Sequence, residues 1–555
     1  MKKAAFIFFS LCFGLISYAQ KLNLTIVGES ETDNTIINKI GYQKEHLNAK
    51  SIVDEINLTS NNLTKIGYIE NKVLENTKTT DSTFICKLFL GNKIDSIRIS
   101  LANNSELKSL SLFDENKDTI TLAYPEVESF LNLTLGKLEM KGYALSKLKL
   151  INIKRKNNIL VADLDISIEK KRQVNDIVIK GYDKFPIGFK ENMKRLYKNE
   201  IFNQDNLNKV YKDFEKIRFV KQVKYPEILF EKDSTKIYVY LEKIKSNSFD
   251  GFVGFANDTD KDITFNGFLD LNLNNTLNSG ELFSLFWRSD GADQKVFNIA
   301  FEIPYIFKSP IGLKANLNIF KQDSTFQNTK TAINIGYFLR YNSRLYLGYQ
   351  STESSDIQNT NSSNLSDYTN YFVTSNYEFF DFKNDDILFP IKTNANLTLG
   401  FGNRESNINT SKQFFAKIDL DHNFYFNKKN CFNLRSQNYY LKSDYYLVNE
   451  LYRFGGIYSI QGFKENSLQG NLFASILTEY RYIITQTVYI HSIIDYGYFQ
   501  DKSTNNQGNL LGLGLGFGIL TKNGILNLAY ATGSSNDQAI VLANSIVHIS
   551  FRTKF

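Results

Sequence analysis

Few residues in this 555-residue chain have the types and spacing for catalysis. The four histidines, His46, His422, His491 and His548, are too scattered to make a metal-ligand spacing, and Cys12, Cys86 and Cys431 make none either. There is no Gly-x-Ser-x-Gly nucleophile elbow and no phosphate-binding loop. The carboxylates nearest to an acid–base pair are Glu479 and Asp495, each in a run of alternating apolar and polar residues. Alternation sets Glu479 and Arg481 opposite Ala474, Ile476 and Tyr480, and sets Asp495 and Gly497 on the face of His491. Such carboxylates line an interior more often than they catalyse. An enzyme is not expected, and no cofactor or metal is implied.

A different feature precedes these two runs. Asn449–Phe463 reads NELYRFGGIYSIQGF, with adjacent Gly455 and Gly456 followed by Ile460, Gln461, Gly462 and Phe463. Alternating segments flank it, so it is a loop, and one long enough to carry function.

The elements that position these residues follow from composition and period. The chain has 45 Phe and 32 Tyr but one Trp and six Pro, which suits a large antiparallel β structure. From about residue 248 the period is two. In Asn509–Leu520, Leu511, Leu513, Leu515, Phe517 and Ile519 share one face and Gly512, Gly514, Gly516 and Gly518 the other. A purely apolar face opposite a nearly bare one suits a lipid-facing wall with something packed against its inner surface. About sixteen alternating segments start near 249, 264, 280, 294, 311, 330, 343, 369, 393, 412, 431, 469, 486, 509, 523 and 546. An even count of tilted spanning strands fits a bacterial outer-membrane barrel over 244–555. The polar tracts Ser351–Asp367 and Lys502–Gly508 read as external loops, and Pro304, Pro310 and Pro390 fit strand ends or turns.

Residues 1–19 read as a signal peptide: Lys2 and Lys3, the apolar run Ala4–Ile16, and a cleavage site at Ser17-Tyr18-Ala19. Between the signal and the barrel, the order β-α-α-β-β recurs in three units, 22–91, 93–170 and 173–243. In the third, Leu207, Val210, Tyr211, Phe214 and Ile217 fall on one helical face. Net charge is +7, spread without a basic block, so nucleic-acid binding is not expected.

The three units resemble POTRA modules, the third most closely through Ile179-Lys180-Gly181-Tyr182, Phe202-Asn203 and Phe219-Val220. With the barrel after them, residues 22–555 resemble the outer-membrane assembly superfamily, the bacterial surface antigen group of BamA and TamA. In that family a long sixth external loop, here about Lys442–Leu468, bears an Arg-Gly-aromatic motif and folds into the lumen. Ile460-Gln461-Gly462-Phe463 matches it in place, but Gln461 stands where the family has arginine. The resemblance implies that the loop contacts Asp495, with Gln461, Arg453 or Arg481 serving the carboxylate. It further implies a lateral seam between the first strand (Phe249, Gly251, Val253, Phe255) and the last (Ile549, Phe551, Phe555).

The function implied is TamA-like insertion or translocation of unfolded outer-membrane or secreted clients. The modules would capture an extended client by β-augmentation, and the partners would be those clients, the bilayer and a periplasmic accessory protein. A two-partner secretion translocator with one dedicated substrate, and a passive channel or binding barrel, remain open alternatives.

Overall fold

The structure is a computed structural model that describes residues 21–101, 118–257, 263–290, 294–358, 364–383, 386–407, 409–522, 524–535 and 545–554. The signal segment 1–19 and Phe555 lie outside these residues, as do the side chains of Val253 and Phe255. The chain divides into two compact units. One holds residues up to Gln173 with Ile201–Asp205; the other holds Val174–Glu200 and Asn206–Phe555.

The first unit contains two small α/β sheets. In the first, strand Leu22–Val27 leads to helix Glu31–Ile40, whose Ser30 cap and Asp33 form a capping box. Helix Ala49–Lys65 buries Ile52, Ile56, Thr59 and Leu63 along one face. These pack with Leu24, Ile26, Ile37, Cys86, Leu88 and Leu90 into one core. Leu22–Val27 pairs in parallel with Thr83–Phe89, and Lys72–Lys78 forms the sheet edge. That edge strand begins at Lys72 rather than near Tyr68, because Gly67 turns the chain at φ +112° after the helix. The second sheet pairs Ser96–Ser100 in parallel with Ile159–Ser167, and Lys147–Lys156 is its edge. It has one described α-helix, Val127–Met140, and an extra strand, Thr119–Ala123, on its other edge. The extra strand departs from the plain β-α-α-β-β order.

The second unit opens with the third sheet: Asp176–Lys180 beside Thr235–Lys243, with Val220–Phe230 at the edge. Helices Ile187–Tyr197 and Gln204–Glu215 cover it through Phe189, Met193, Leu207, Val210 and Phe214. The barrel follows.

Its sixteen strands are Ser248–Asn257, Ile263–Asn274, Leu282–Asp290, Gln294–Ile303, Ile311–Gln322, Phe326–Arg340, Ser343–Asp356, Tyr368–Phe382, Ile391–Ser406, Thr410–Tyr425, Asn430–Lys442, Leu472–Thr485, Val488–Asp501, Asn506–Leu520, Ile525–Ser535 and Ile546–Lys554. Each pairs antiparallel with the next, and the last returns to the first. The largest offset from the expected starts is at the sixth strand, which begins at Phe326 rather than near 330. The tract Ser351–Asp367 is not all loop, since the seventh strand runs to Asp356, and the fourteenth strand likewise begins at Asn506. The ladder continues past the apolar zone, where polar side chains cost nothing in water. Alternate residues point outward and form an exposed apolar belt, including Ile335, Leu347, Val373, Phe401, Ile494 and Leu515. That belt is the lipid-facing surface of a spanning barrel.

Candidate functional site

The connection between the eleventh and twelfth barrel strands, 443–471, is the sixth on the side away from the third module. Its base is fixed by a buried ion pair. Arg404, on the ninth strand, meets Glu450 at 2.5 Å, and both side chains are almost fully removed from solvent. Gln413 Nε2 and the Leu447 amide also donate to Glu450, at 2.8 and 2.9 Å. Beside it, Asn449 Nδ2 donates to Ser354 Oγ and to the Ser366 carbonyl, while Asn328 Nδ2 donates to the Asn449 carbonyl. These anchors tie the loop to the sixth, seventh, ninth and tenth strands.

From there the loop enters the lumen as a short hairpin, Tyr452–Phe454 against Leu468–Gly470. Phe454 stacks on Phe473 at 3.9 Å between centroids, and Tyr452 stacks on Tyr439 at 4.7 Å. With Ile460, Leu477, Phe499 and Leu510 they form an apolar core inside the barrel. Arg453 leaves this core on the other side. It donates to Gln322 Oε1 and lies over the Phe320 and Phe326 rings. Glu465 reaches Arg288 of the third strand at 3.1 Å. The loop therefore braces the lumen from the third strand to the fifteenth.

At the tip, Gly455 and Gly456 both take left-handed backbone, and the Gly456 amide donates to the Ile460 carbonyl. This turn presents Ile460-Gln461-Gly462-Phe463 to the barrel wall. Asp495, Gly512 and Gly533 lie side by side on the thirteenth to fifteenth strands. The loop backbone crosses this row. The Gln461 amide donates to Asp495 Oδ2 at 2.9 Å. The Gln461 carbonyl sits where a side chain at Gly512 would go, and Gly462 lies against the backbone of Thr532 and Gly533 at φ +85°. Phe463 packs over Gly533, and Ile460 fills the space beside Gly497. Asp495 and Ile460 are fully buried.

The expectation for the Asp495 contact needs correction in its chemistry. The carboxylate is held neither by the Gln461 side chain nor by Arg453 or Arg481, but by the Gln461 main-chain N–H. A main-chain donor is available whatever residue stands at 461. The Gln461 side chain makes only a 3.4 Å contact to the Ile457 carbonyl. Gln461 Oε1 and Asp495 Oδ1 are buried without a hydrogen-bond partner among the described residues.

Arg481 instead grips Glu479, with Nε and Nη2 at 2.8 and 2.7 Å from one carboxylate oxygen. Arg435 holds the other oxygen at 3.1 Å, and Arg481 also donates to Asn423. Glu479, Arg481, Asp495 and Gly497 all face inward, but Glu479 and Asp495 belong to separate contacts. The glycine face of the fourteenth strand also divides. Gly512 meets the loop, while Gly516 and Gly518 are covered by His491 and Tyr489 of the neighbouring strand. Arg404–Glu450 and Arg435–Glu479 were not anticipated. The pattern gives Arg404 an inward face on its strand, but only the closed barrel shows that Glu450 lies opposite.

Of the expected seam residues that are described, only Phe249 is paired across the seam. Ser248, Phe249 and Asp250 oppose Lys554, Thr553 and Arg552, and among the described residues the ladder goes no further. Ile549 and Phe551 pair only with the fifteenth strand, and Gly251 only with the second. By contrast, the first strand pairs with the second along its whole length, Ser248 to Asn257. A lumen cavity of about 1090 Å³ lies behind this junction, between the loop (Lys464, Glu465) and Arg288, His548 and Ser550.

No family model and no curated protein matches the sequence. Solved structures do match in fold. CdiB from Acinetobacter baumannii aligns with TM-score 0.52 and 14% identity, covering 83% of this chain and 90% of its own. CdiB from Escherichia coli aligns with TM-score 0.51 and 12% identity, covering 95% and 100%. BamA from Haemophilus ducreyi lacking POTRA domains 1–3 aligns at 0.47 and 14%, covering 81% and 97%. The chain has the fold of the CdiB barrels. With its belt of outward apolar side chains, it is a membrane-spanning barrel that follows N-terminal α/β modules. The third module packs on one rim of the barrel, and the 443–471 loop folds back into the lumen from the other.

Proposed function

We propose that this protein assembles or translocates other outer-membrane or secreted proteins by strand pairing, in the manner of TamA-like barrels. The observation that carries the reading is the seam. Among the described residues three pairs close it at the periplasmic end, and beyond them neither the first nor the last strand has a partner across it. An unpaired edge in lipid is costly unless another strand takes it. A client strand entering there gains main-chain hydrogen bonds and buries its apolar face in the bilayer, so no nucleotide is needed.

The modules supply a first capture step. In each of the three sheets the penultimate strand in sequence is one of the two edges: Lys72–Lys78, Lys147–Lys156 and Val220–Phe230. The second edge is the most receptive. It has ten residues, no proline and five cations, whereas the third is interrupted by Pro226, which cannot donate. Residues 22–91, 93–170 and 173–243 thus serve as three capture modules before the barrel at 244–555. The loop, through Gly455, Gly456, Ile460, Gln461, Gly462 and Phe463, keeps the wall from the thirteenth to the fifteenth strand in shape while the seam opens. A periplasmic accessory protein would act at the modules.

Cross-linking the seam tests the proposal. Phe249→Cys with Thr553→Cys places cysteines on opposed residues. The oxidised protein should lose client insertion in proteoliposomes and regain it on reduction. Full activity of the cross-linked form refutes lateral opening. Depletion in the native cell separates the remaining readings. A broad fall in outer-membrane proteins supports assembly. Loss of one secreted protein supports a dedicated translocator, and a change confined to small-solute permeability supports a passive channel.

A further inference from the structure

The periplasmic turn 304–310 between the fourth and fifth barrel strands has an unusual backbone. Tyr305, Phe307 and Lys308 all take left-handed conformation, at φ +56°, +54° and +61°. Non-glycine residues avoid this region, and three so close together persist only where surrounding structure imposes them. The third module imposes them here. Phe189 of helix Ile187–Tyr197 packs edge-on against Tyr305 at 4.8 Å, and Gly188 lies directly on Tyr305. Buried Asn192 donates through Nδ2 to the Lys308 and Ser309 carbonyls, at 3.2 and 3.0 Å. Tyr305 is drawn inward, where it also meets Phe338.

The consequence is that Phe307 points away from everything, 96% exposed. Ile187, beside the Gly188–Tyr305 contact, is exposed as well. An isolated exposed phenylalanine needs no explanation, but this one continues an interface already present. The fifth strand begins four residues later, and its exposed Ile311 and Leu313 are the periplasmic end of the lipid-facing belt, opposite exposed Tyr337 and Ile335. The apolar surface thus runs over the rim onto the turn, and exposed Lys308 stands next to Phe307.

We propose that the turn is an interfacial anchor for the periplasmic leaflet. Phe307 enters the boundary between headgroups and acyl chains, and Lys308 meets lipid phosphate. Helix Ile187–Tyr197, which holds the turn, is thereby seated at the membrane surface. An apolar tip with an adjacent cation binds an interface in this way without spanning it. The third module then has a fixed height above the bilayer, and its edge strand meets a client close to the lipid. The inference rests on the membrane placement of the barrel and not on the client-handling reading.

The test uses the full chain in phospholipid vesicles. Trp287, the single native tryptophan, is replaced in a Trp287→Phe background, and Phe307→Trp supplies the probe. Phospholipids brominated near the headgroup end of the acyl chain should quench its emission by about half, as for side chains at the interface. Lys232→Trp, at the exposed hairpin turn of the third module, should stay unquenched in the same background. Water-like, unquenched emission from the 307 probe overturns the proposal. So does a probe that responds only when an unfolded client is added, because the surface would then be a polypeptide site. A Phe307→Asp variant provides a second arm. With the barrel fully folded by its electrophoretic heat-shift, a Trp introduced by Ile187→Trp should lose about half of its lipid quenching. Unchanged quenching there refutes the claim that the turn seats the helix.

Discussion

Gly462→Ala is the sharpest test of how the loop is held. A methyl group at 462 would overlap the Thr532 carbonyl carbon and the Gly533 amide nitrogen, both main-chain atoms of a barrel strand. Neither can move without disturbing the fifteenth strand. The residue also sits at φ +85°, which costs a non-glycine roughly 1–2 kcal/mol. Overpacking typically adds about 1–3 kcal/mol. The sum, about 2–5 kcal/mol, lowers the ratio of docked to released loop by roughly thirtyfold to over a thousandfold at 1.4 kcal/mol per decade. Gln461→Ala should behave differently. Its contact to Asp495 comes from the main chain, which alanine keeps, and its side chain gives up only a 3.4 Å contact, so the effect stays within about 0.5 kcal/mol. Trypsin on intact proteoliposomes reads the difference, because Arg453 and Lys464 lie inside the loop. Gly462→Ala should be cleaved there while Gln461→Ala and the unaltered protein resist, and client insertion should follow the same order. A protected loop in Gly462→Ala together with a released one in Gln461→Ala would refute the main-chain account.

Gln461→Arg should tighten the loop by about 1.5–3 kcal/mol, since Asp495 Oδ1 then gains a charged donor; a higher temperature for loop cleavage or barrel unfolding is the readout. Arg404→Met leaves Glu450 buried without its partner and should cost about 3–5 kcal/mol in barrel unfolding, most of which Arg404→Met with Glu450→Leu should restore. Asp213→Asn removes the ion pair by which the third module holds Arg340 of the barrel, and should raise protease cleavage between Lys243 and Ser248 without unfolding the barrel by heat-shift. Lys147→Glu with Lys149→Glu should weaken cross-linking of acidic extended peptides to the second module by about tenfold at low salt, with a smaller difference at high salt. Equal cross-linking at both salt levels would show that the edge does not select by charge.

Local pattern determined much of this protein. Period-two alternation located sixteen strands, because one side chain in two must meet lipid while the next meets the lumen. It also gave Glu479, Asp495 and Gly497 their inward faces, and turn chemistry marked the loop through Gly455, Gly456 and Gly462. What alternation cannot convey is which lumen residues meet, since those contacts join strands far apart in sequence. Arg404 finding Glu450, Arg481 taking Glu479, and Asp495 receiving a main-chain amide all depend on closure of the barrel around a folded loop. The third module's grip on turn 304–310 is of the same kind: Asn192 and Phe189 impose a backbone on Tyr305, Phe307 and Lys308 that those residues do not prefer. Facing is a property of single strands and is written in the sequence. Partnership is a property of the closed tertiary structure, which alone decided how the loop is locked, how the seam residues pair and which backbone the 304–310 turn takes.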